Sequence, residues 1–181
     1  MKKHLTTAIL YTAITAVILG VAYPLAITAL AHAFFPKQAA GSLVYNSQHD
    51  LIGSQLIGQP FTGPTYFHSR PSAAGNGYDA TSSGGSNLGP TSKTFSDRVA
   101  AQTEGPNAPI DLVTTSGSGL DPDITPAAAY FQLPRIAVAR HLPEPTVRAL
   151  IATHITPRQL GLLGEPRVNV LALNLALDQT K

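Results

Sequence analysis

The residues best suited to bind a ligand lie in one short segment, T-T-S-G-S-G-L-D-P-D, between Thr114 and Asp123. It combines hydroxyl groups, glycines and a carboxylate, at Ser116, Gly117, Ser118, Gly119 and Asp121. Glycines let successive backbone N–H groups line one concave surface, which binds anions such as phosphate, and a following helix N-terminus strengthens the attraction. The alternative is that the aspartate and the proline after it only turn the chain. The segment is therefore either an anion site or a structural turn.

Other chemistries do not fit this segment. A serine nucleophile at Ser118 would need glycines where Ser116 and Leu120 stand. A calcium loop starting at Asp121 would need its turning glycine where Pro126 stands. The chain also has no G-K-[ST] motif, no cysteine and no closely spaced pair of histidines, which argues against a P-loop, thiolate chemistry and a local zinc motif. We therefore predict no enzymatic activity and no bound metal.

The charge distribution argues against a nucleic-acid partner. The pI of 9.0 and the net charge of +2 look basic, but Lys2, Lys3 and Lys37 all flank one apolar segment. Without them, nine basic residues are outnumbered by ten acidic ones. The rest of the chain is therefore not basic enough to bind a phosphate backbone.

The apolar segment from Leu5 to Phe35 contains no Asp, Glu, Lys or Arg. A spanning helix needs only about 20 apolar residues, so this segment can cross a bilayer. A cleaved signal peptide is the competing interpretation, because Ala29-Leu30-Ala31 and Ala31-His32-Ala33 both match the A-x-A cleavage pattern. A signal core usually has about 7 to 15 apolar residues, and this run is longer, which favours a retained anchor.

The lysines set the expected orientation. Lys2 and Lys3 precede the apolar segment, whereas only Lys37 follows it before Arg70. The positive-inside rule therefore places the N-terminus in the cytoplasm and the rest of the chain outside. We expect a membrane anchor over residues 1–37, without a charged ion site of its own, and a soluble domain over residues 38–181.

The soluble region is predicted to be a mixed α+β domain. Its expected helices are Ser92–Gln102, a helix from Pro126 that breaks or kinks at Pro134, Glu144–His154, and a short helix starting at Thr156-Pro157. Its expected strands include Ile110–Thr114 and Val168–Leu177, the second of which has leucines at period two that partly fit a helix as well. The glycine- and serine-rich stretch 73–90 is predicted to be a long loop.

Five blocks of sequence resemble one family over almost the full length of the chain. They are G-S-Q-L-I-G-Q (53–59), Y-F-H-S-R-P-S-A (66–73), G-G-S-N-L-G-P (84–90), D-L-V-T-T-S-G-S-G-L-D-P (111–122) and L-G-E-P-R-V-N-V-L-A-L-N-L-A-L-D (163–178). The family is the C subunit of the bacterial Kdp potassium-transporting ATPase.

This resemblance implies a non-catalytic accessory subunit that stays anchored in the cell inner membrane. Its implied partners are a channel-like A subunit, an ATP-hydrolysing B subunit and a small F peptide, and the complex transports potassium. The family is described as a catalytic chaperone that raises the ATP affinity of the B subunit and itself binds nucleotide. The blocks also contain residues with an implied structural or partner role: Arg70, Ser86, Asn87 and Asn169.

The implied nucleotide role and the predicted topology conflict, because ATP is cytoplasmic and the segment from Ser116 to Asp121 is expected outside. Two hypotheses follow. In the first, the chain is a chaperone that holds ATP with Ser116, Gly117, Ser118, Gly119 and Asp121. In the second, it is an extracytoplasmic cap that stabilises the A subunit and conditions potassium entry without binding nucleotide.

Overall fold

The computed structural model describes residues 2–46, 48–102 and 107–180. The chain divides into two compact units, Met1–Ile52 and Gly53–Lys181. The first contains one long apolar helix, and the second combines helices with short strands. The predicted fold class, an α+β domain after a single N-terminal apolar helix, is confirmed.

The N-terminal helix runs from Lys2 to Phe34 and is long and apolar enough to cross a membrane. It has three successive parts: α1 (Lys2–Val17), a π-helical turn (Ile18–Ala22) and α2 (Tyr23–Phe34). Pro24 explains the wider turn, because proline lacks an N–H and its ring collides with the carbonyl four residues earlier. The N–H of Tyr23 instead donates to the carbonyl of Ile18, five residues back. Pro24 therefore alters the helix locally without ending it.

Threonine hydroxyls in this helix donate to the backbone of the helix itself. The bonds run from Thr6 to Lys2, Thr7 to Lys3, Thr15 to Tyr11 and Thr28 to Pro24, over 2.8–3.0 Å. Such bonds satisfy hydroxyl groups that an apolar environment would leave without a partner. The threonines are therefore compatible with a membrane span.

The remaining elements are short. In chain order they are α3 (Pro36–Ala39), β1 (Leu43–Tyr45), β2 (Leu51–Ser54), α4 (Lys93–Gln102), α5 (Ile110–Val113), β3 (Asp123–Ile124), α6 (Pro126–Arg140), α7 (Glu144–Thr153), β4 (Ile155–Thr156), β5 (Arg167–Asn169) and α8 (Val170–Gln179). β1 pairs with β2 in a two-stranded sheet. β5 is the central strand of a second sheet and is antiparallel to both β3 and β4.

The core of the second unit forms where α6, α7 and α8 meet the second sheet. Its largest buried apolar side chains come from all of these elements and from the segment before Arg70: Phe67, Leu133, Ile136, Val147, Ile151, Val168, Leu173 and Leu177. Val147 and Ile151 lie one helical turn apart on α7, which confirms the predicted helix and its buried face.

Two buried amide side chains hold an extended piece of backbone between α6 and α8. Asn174 accepts a hydrogen bond from the N–H of Phe67 and donates one to its carbonyl, both over 2.9 Å. Gln132 does the same for His68, over 2.7 and 3.2 Å. Each amide side chain is 1% exposed. We call this arrangement the amide clamp, and it replaces the hydrogen bonds that neighbouring β-strands would otherwise supply.

The predicted strand at Ile110–Thr114 is wrong, because Ile110–Val113 forms the short helix α5. Asp111 in this helix is only 5% exposed. Its carboxylate accepts a 2.6 Å hydrogen bond from the N–H of Thr125 at the start of α6. Ile110, by contrast, is 69% exposed.

The predicted strand at Val168–Leu177 is also wrong beyond its first residues. β5 ends at Asn169, whose side chain accepts a hydrogen bond from the N–H of Ala172 and so caps the start of α8. The buried positions Val170, Leu171, Leu173, Asn174 and Leu177 then follow helical spacing. The leucines at period two therefore do not mark a strand.

Predictions based on proline were partly correct. Thr125 caps α6 and Pro126 occupies its first turn, as predicted. However, α6 continues through Pro134, which is exposed, to Arg140, so the predicted break at this proline is wrong. No helix starts at Thr156, since the chain leaves β4 there and enters a tight hairpin in which Gln159 bridges to Leu163.

We predict that Asn174→Leu lowers the free energy of unfolding by about 2–4 kcal/mol, because the N–H and the carbonyl of Phe67 both lose their partner inside the core. Urea unfolding of the full chain in detergent micelles measures this. Gln179→Leu, at an exposed position of the same helix, is the matched control and should change stability by less than about 0.5 kcal/mol. Equal effects of the two substitutions would contradict the clamp's role.

Candidate functional site

The candidate segment lies between α5 and β3 and is a loop whose carbonyl groups bind three other parts of the domain. The carbonyl of Ser118 accepts from the N–H of Gly84 over 2.9 Å, and that of Gly119 accepts from the Ser72 hydroxyl over 2.6 Å. The carbonyl of Leu120 accepts from the N–H of Gly58 over 2.8 Å. The loop is therefore a junction at which separate segments of the chain meet.

Two backbone N–H groups of the loop are already used within it. The N–H of Gly119 donates to the carbonyl of Ser116 over 3.2 Å, and that of Leu120 donates to the Ser118 hydroxyl over 3.1 Å. The hydroxyls of Ser116 and Ser118 lie 3.3 Å apart. An anion bound here would have to compete with these internal bonds, although Gly117 and Ser118 are exposed.

Gly119 is required by both the backbone conformation and the packing of the loop. Its φ of +67° lies in the left-handed region. A Cβ atom there would lie 2.5 Å from the carbonyl oxygen of Gly84 and 2.8 Å from the nitrogen of Ala74. At Gly117, by contrast, a Cβ atom would meet nothing within 4 Å. Close packing therefore requires glycine at position 119, whereas position 117 has space for a side chain.

Arg70 joins the candidate loop through its guanidinium group. It forms an ion pair with Asp121 over 3.2 Å and donates to the carbonyl and the hydroxyl of Thr114 over 3.4 Å. The Arg70 and Asp121 side chains are 25% and 30% exposed. The other carboxylate oxygen of Asp121 accepts from the N–H of Asp123 over 3.0 Å. The structure thus brings Arg70 and Asp121 together, in contact with each other.

Asn169 lies at a neighbouring ion pair. Its amide donates to Asp123 over 3.2 Å and to the carbonyl of Gln55 over 3.0 Å, while Arg167 pairs with Asp123 over 3.0 Å. Burial raises the pKa of Asp123, with Asp121 adding to the rise, while the hydrogen bond from Asn169 and the charge of Arg167 oppose it. Arg70, Asp121, Asp123 and Arg167 all line one cavity of about 280 Å³.

Ser86 and Asn87 follow the part of the 73–90 loop that touches the candidate loop. The hydroxyl of Ser86 accepts from the N–H of Leu88 over 3.4 Å, and Asn87 has a left-handed φ of +53°. Gly85 lies close to Gly117, since a Cβ atom on Gly85 would be 3.3 Å from the Gly117 carbonyl oxygen. The described bond of Ser86 and the φ of Asn87 thus stabilise the turn in which these two residues lie.

A larger cavity, about 380 Å³, lies beside Ser72 and Gln132. His68, Tyr78, Arg98 and Gln132 are among its polar lining residues, and none of the predicted site residues is among its described lining residues. Two nitrogens of Arg98, Nε and Nη2, are buried and have no hydrogen-bond partner among the described residues. Burial also raises the pKa of the Tyr78 hydroxyl, which donates to the carbonyl of Arg70 over 2.7 Å.

Sequence reasoning missed the residues that organise this region: Ser72, Asp111, Gln132 and Asn174. The helical spacing of α6 could have identified Gln132, because it lies one turn after Ala128 and Ala129 on the buried face. No local signal points to Ser72, whose hydroxyl donates to the candidate loop and accepts from the N–H of Tyr78 over 2.7 Å. Its partner in the candidate loop, Gly119, is 47 residues away in the sequence.

Across residues 2–46, 48–102 and 107–180, no group of three or more histidine, aspartate or glutamate side chains is placed to hold a metal ion. The fold fits a membrane-anchored protein with one apolar helix. The polar groups of the candidate loop bond to other residues of the same domain, such as Arg70 and Ser72. This combination is that of a membrane-anchored protein with one mixed α+β domain.

Comparison with known proteins identifies the family. The family model described as "KdpC: K+-transporting ATPase, c chain" matches residues 5–179, so the chain belongs to the KdpC family. A potassium-transporting ATPase KdpC subunit from Acidobacterium capsulatum is 64% identical and covers 98% of both chains. Those from Koribacter versatilis and Gemmatimonas aurantiaca are 56% and 55% identical, covering 100% and 98% of this chain and 97% and 94% of their own.

We predict that Gly119→Ala lowers the free energy of unfolding by about 2 kcal/mol or more, because a left-handed φ and two close backbone contacts oppose the added methyl group. Gly117→Ala is the matched control and should change stability by less than about 0.5 kcal/mol. Thermal unfolding of the two variants, followed by circular dichroism, distinguishes these outcomes. A neutral Gly119→Ala would mean that the loop does not depend on this junction.

Proposed function

We propose that this chain is a non-catalytic accessory subunit whose domain lies outside the cell membrane, caps the channel-like A subunit and conditions potassium entry without binding nucleotide. ATP hydrolysis then belongs to the B subunit, and the small F peptide completes the complex in the inner membrane. Membership of the KdpC family supports the role as a subunit of the potassium-transporting ATPase. The position outside the membrane rests on Lys2 and Lys3 preceding the span.

One observation favours the cap over the nucleotide chaperone: the candidate loop already bonds to other segments of its own domain. The carbonyls of Ser118 and Gly119 bind neighbouring segments, and the charge of Asp121 is paired with Arg70. A loop that binds phosphate directs unused N–H groups at its ligand. Here the N–H groups of Gly119 and Leu120 have partners within the loop.

The nucleotide chaperone remains the second candidate because Gly117 and Ser118 are exposed and two hydroxyls lie side by side. In that case, Ser116, Gly117, Ser118 and Gly119 would donate to the phosphates of ATP. The loop would then have to face the cytoplasm, where ATP is found. Topology therefore separates the two functions.

We predict that a single cysteine introduced by Ser118→Cys is labelled by a membrane-impermeant maleimide in intact spheroplasts. The site is exposed and the chain has no other cysteine, so the signal comes from this position alone. His4→Cys, at the opposite end of the span, is the control and should react only after lysis. Labelling of Ser118→Cys only after lysis would overturn the proposed topology and favour the chaperone.

We also predict that Ser118→Arg leaves the apparent ATP affinity of the assembled complex unchanged. Arginine would remove the hydroxyl beside Ser116 and place a cation at the exposed side of the loop, so it would change the affinity for any phosphate held there, in either direction. The measurement is the ATP concentration for half-maximal potassium-stimulated hydrolysis by the purified complex, compared with wild type. A clear change in that concentration, whether a rise or a fall, would support the nucleotide chaperone instead of the cap.

A further inference from the structure

The cavity of about 380 Å³ is lined by a charged side chain whose hydrogen-bonding capacity is not used within the described part of the domain. Arg98, on α4, has two buried nitrogens, Nε and Nη2, that lack a hydrogen-bond partner among the described residues. Its guanidinium carbon lies 5.8 Å from the ring centroid of Phe95, which offers no acceptor oxygen. Buried polar groups are nearly always paired, and a buried charge without a partner is costly. The described contacts of the domain therefore do not explain this guanidinium group.

The two unpartnered nitrogens lie on the same edge of the guanidinium plane. The N–H groups of Nε and Nη2 point in parallel, with a spacing that matches the two oxygens of a carboxylate. A single hydroxyl or carbonyl oxygen would leave this pair of donors incompletely satisfied. The edge that Arg98 leaves unpartnered is therefore suited to a bidentate anion.

The remaining polar lining of the cavity also favours an anion over a cation. No aspartate or glutamate is among the lining residues that the structure describes, and Arg98 is the one arginine or lysine there. Other polar groups are used inside the domain. The hydroxyls of Tyr78 and Ser72 donate to backbone carbonyls over 2.7 and 2.6 Å, and Gln132 belongs to the amide clamp. Arg98 is thus the main group able to recognise the polar end of a ligand.

Much of the cavity wall is apolar. Phe61, Pro71, Leu112 and Phe131 are among its lining residues, and Phe61 and Leu112 also pack against the core. Small-molecule sites are typically apolar with a few well-placed polar groups, in cavities of about 300–1,000 Å³. The cavity is near the lower end of this range. Its size and lining therefore fit a small ligand with an apolar body.

We propose that this cavity binds a small organic carboxylate with an apolar body. The carboxylate accepts hydrogen bonds from Nε and Nη2 of Arg98, and the apolar body packs against Phe61, Leu112 and Phe131. The proposal uses neither the candidate loop nor the orientation in the membrane. It can therefore fail while the proposed function holds, and the reverse.

Inorganic phosphate and ATP fit the cavity less well than an apolar carboxylate. Phosphate has no apolar part to bury against the aromatic wall. The triphosphate of ATP carries several negative charges, whereas one guanidinium group is available among the described lining residues. Both anions are therefore competitors in the test and not the proposed ligand.

The ligand class is tested with 3-phenylpropanoate, titrated calorimetrically into the full chain in micelles of an uncharged detergent. Micelles without protein provide the blank for partitioning of the ligand. 3-Phenylpropanamide has the same apolar body without the charge, and acetate has the carboxylate without the body. We expect 3-phenylpropanoate to bind, and each of the other two to bind about tenfold more weakly or worse. Inorganic phosphate and ATP should bind more weakly as well.

The role of the arginine is tested with Arg98→Gln and Arg98→Lys. We expect Arg98→Gln to weaken the binding of 3-phenylpropanoate about tenfold or more, and Arg98→Lys to weaken it less, because lysine keeps the charge but loses the parallel pair of donors. Arg148→Gln is the matched control and should bind like wild type. Arg148 is exposed, and its guanidinium carbon lies 5.5 Å from the ring centroid of Tyr130.

Thermal unfolding without ligand distinguishes a binding role of Arg98 from a structural one. Arg98→Gln should keep the wild-type unfolding temperature, because the substitution removes a cation that has no partner to lose. A clear fall in that temperature would overturn the proposal. So would the absence of 3-phenylpropanoate binding, equal affinity for the amide, tighter binding of phosphate or ATP, or unchanged binding by Arg98→Gln.

Discussion

The domain depends on the hydrogen bonds that two side-chain amides make to the backbone of Phe67 and His68. This piece of chain runs between two helices and pairs with no strand in the part of the chain that the structure describes, so its N–H and carbonyl groups would otherwise be unsatisfied. Asn174 and Gln132 supply one donor and one acceptor each, in the required spacing. Because the partners lie on α8 and α6, the clamp also fixes the separation of these helices.

The backbone segment held by the amide clamp continues into residues that bind the candidate loop. Arg70 and Ser72 follow the clamped residues directly, and both bind the loop, through Asp121 and the carbonyl of Gly119. Gln132, in turn, belongs to the helix that begins just after β3. The loop is thus held from both ends by elements that share one buried network. This connection makes its conformation a property of the whole domain.

Local signals were enough to predict some elements and not others. The cap at Thr125 and the buried face of α7 depend on neighbouring residues, so the sequence predicts them. Asp111 and Asn169 act through partners 14 and 46 residues away, which no pattern of period two reveals. The sequence predicts that this segment is a loop. Its bonds to Ser72 and Gly84 depend on the tertiary fold and cannot be predicted from the segment itself.

The π-helical turn at Ile18–Ala22 divides the N-terminal helix into two halves whose side-chain faces are rotated relative to each other. One extra residue in a turn rotates everything after it by about 100° relative to a regular α-helix. A stripe of side chains that starts in α1 therefore does not continue on the same side of α2. Neighbouring helices in a membrane would meet one surface in the first half of the span and another in the second, so a single helix can contact two different neighbours at two depths.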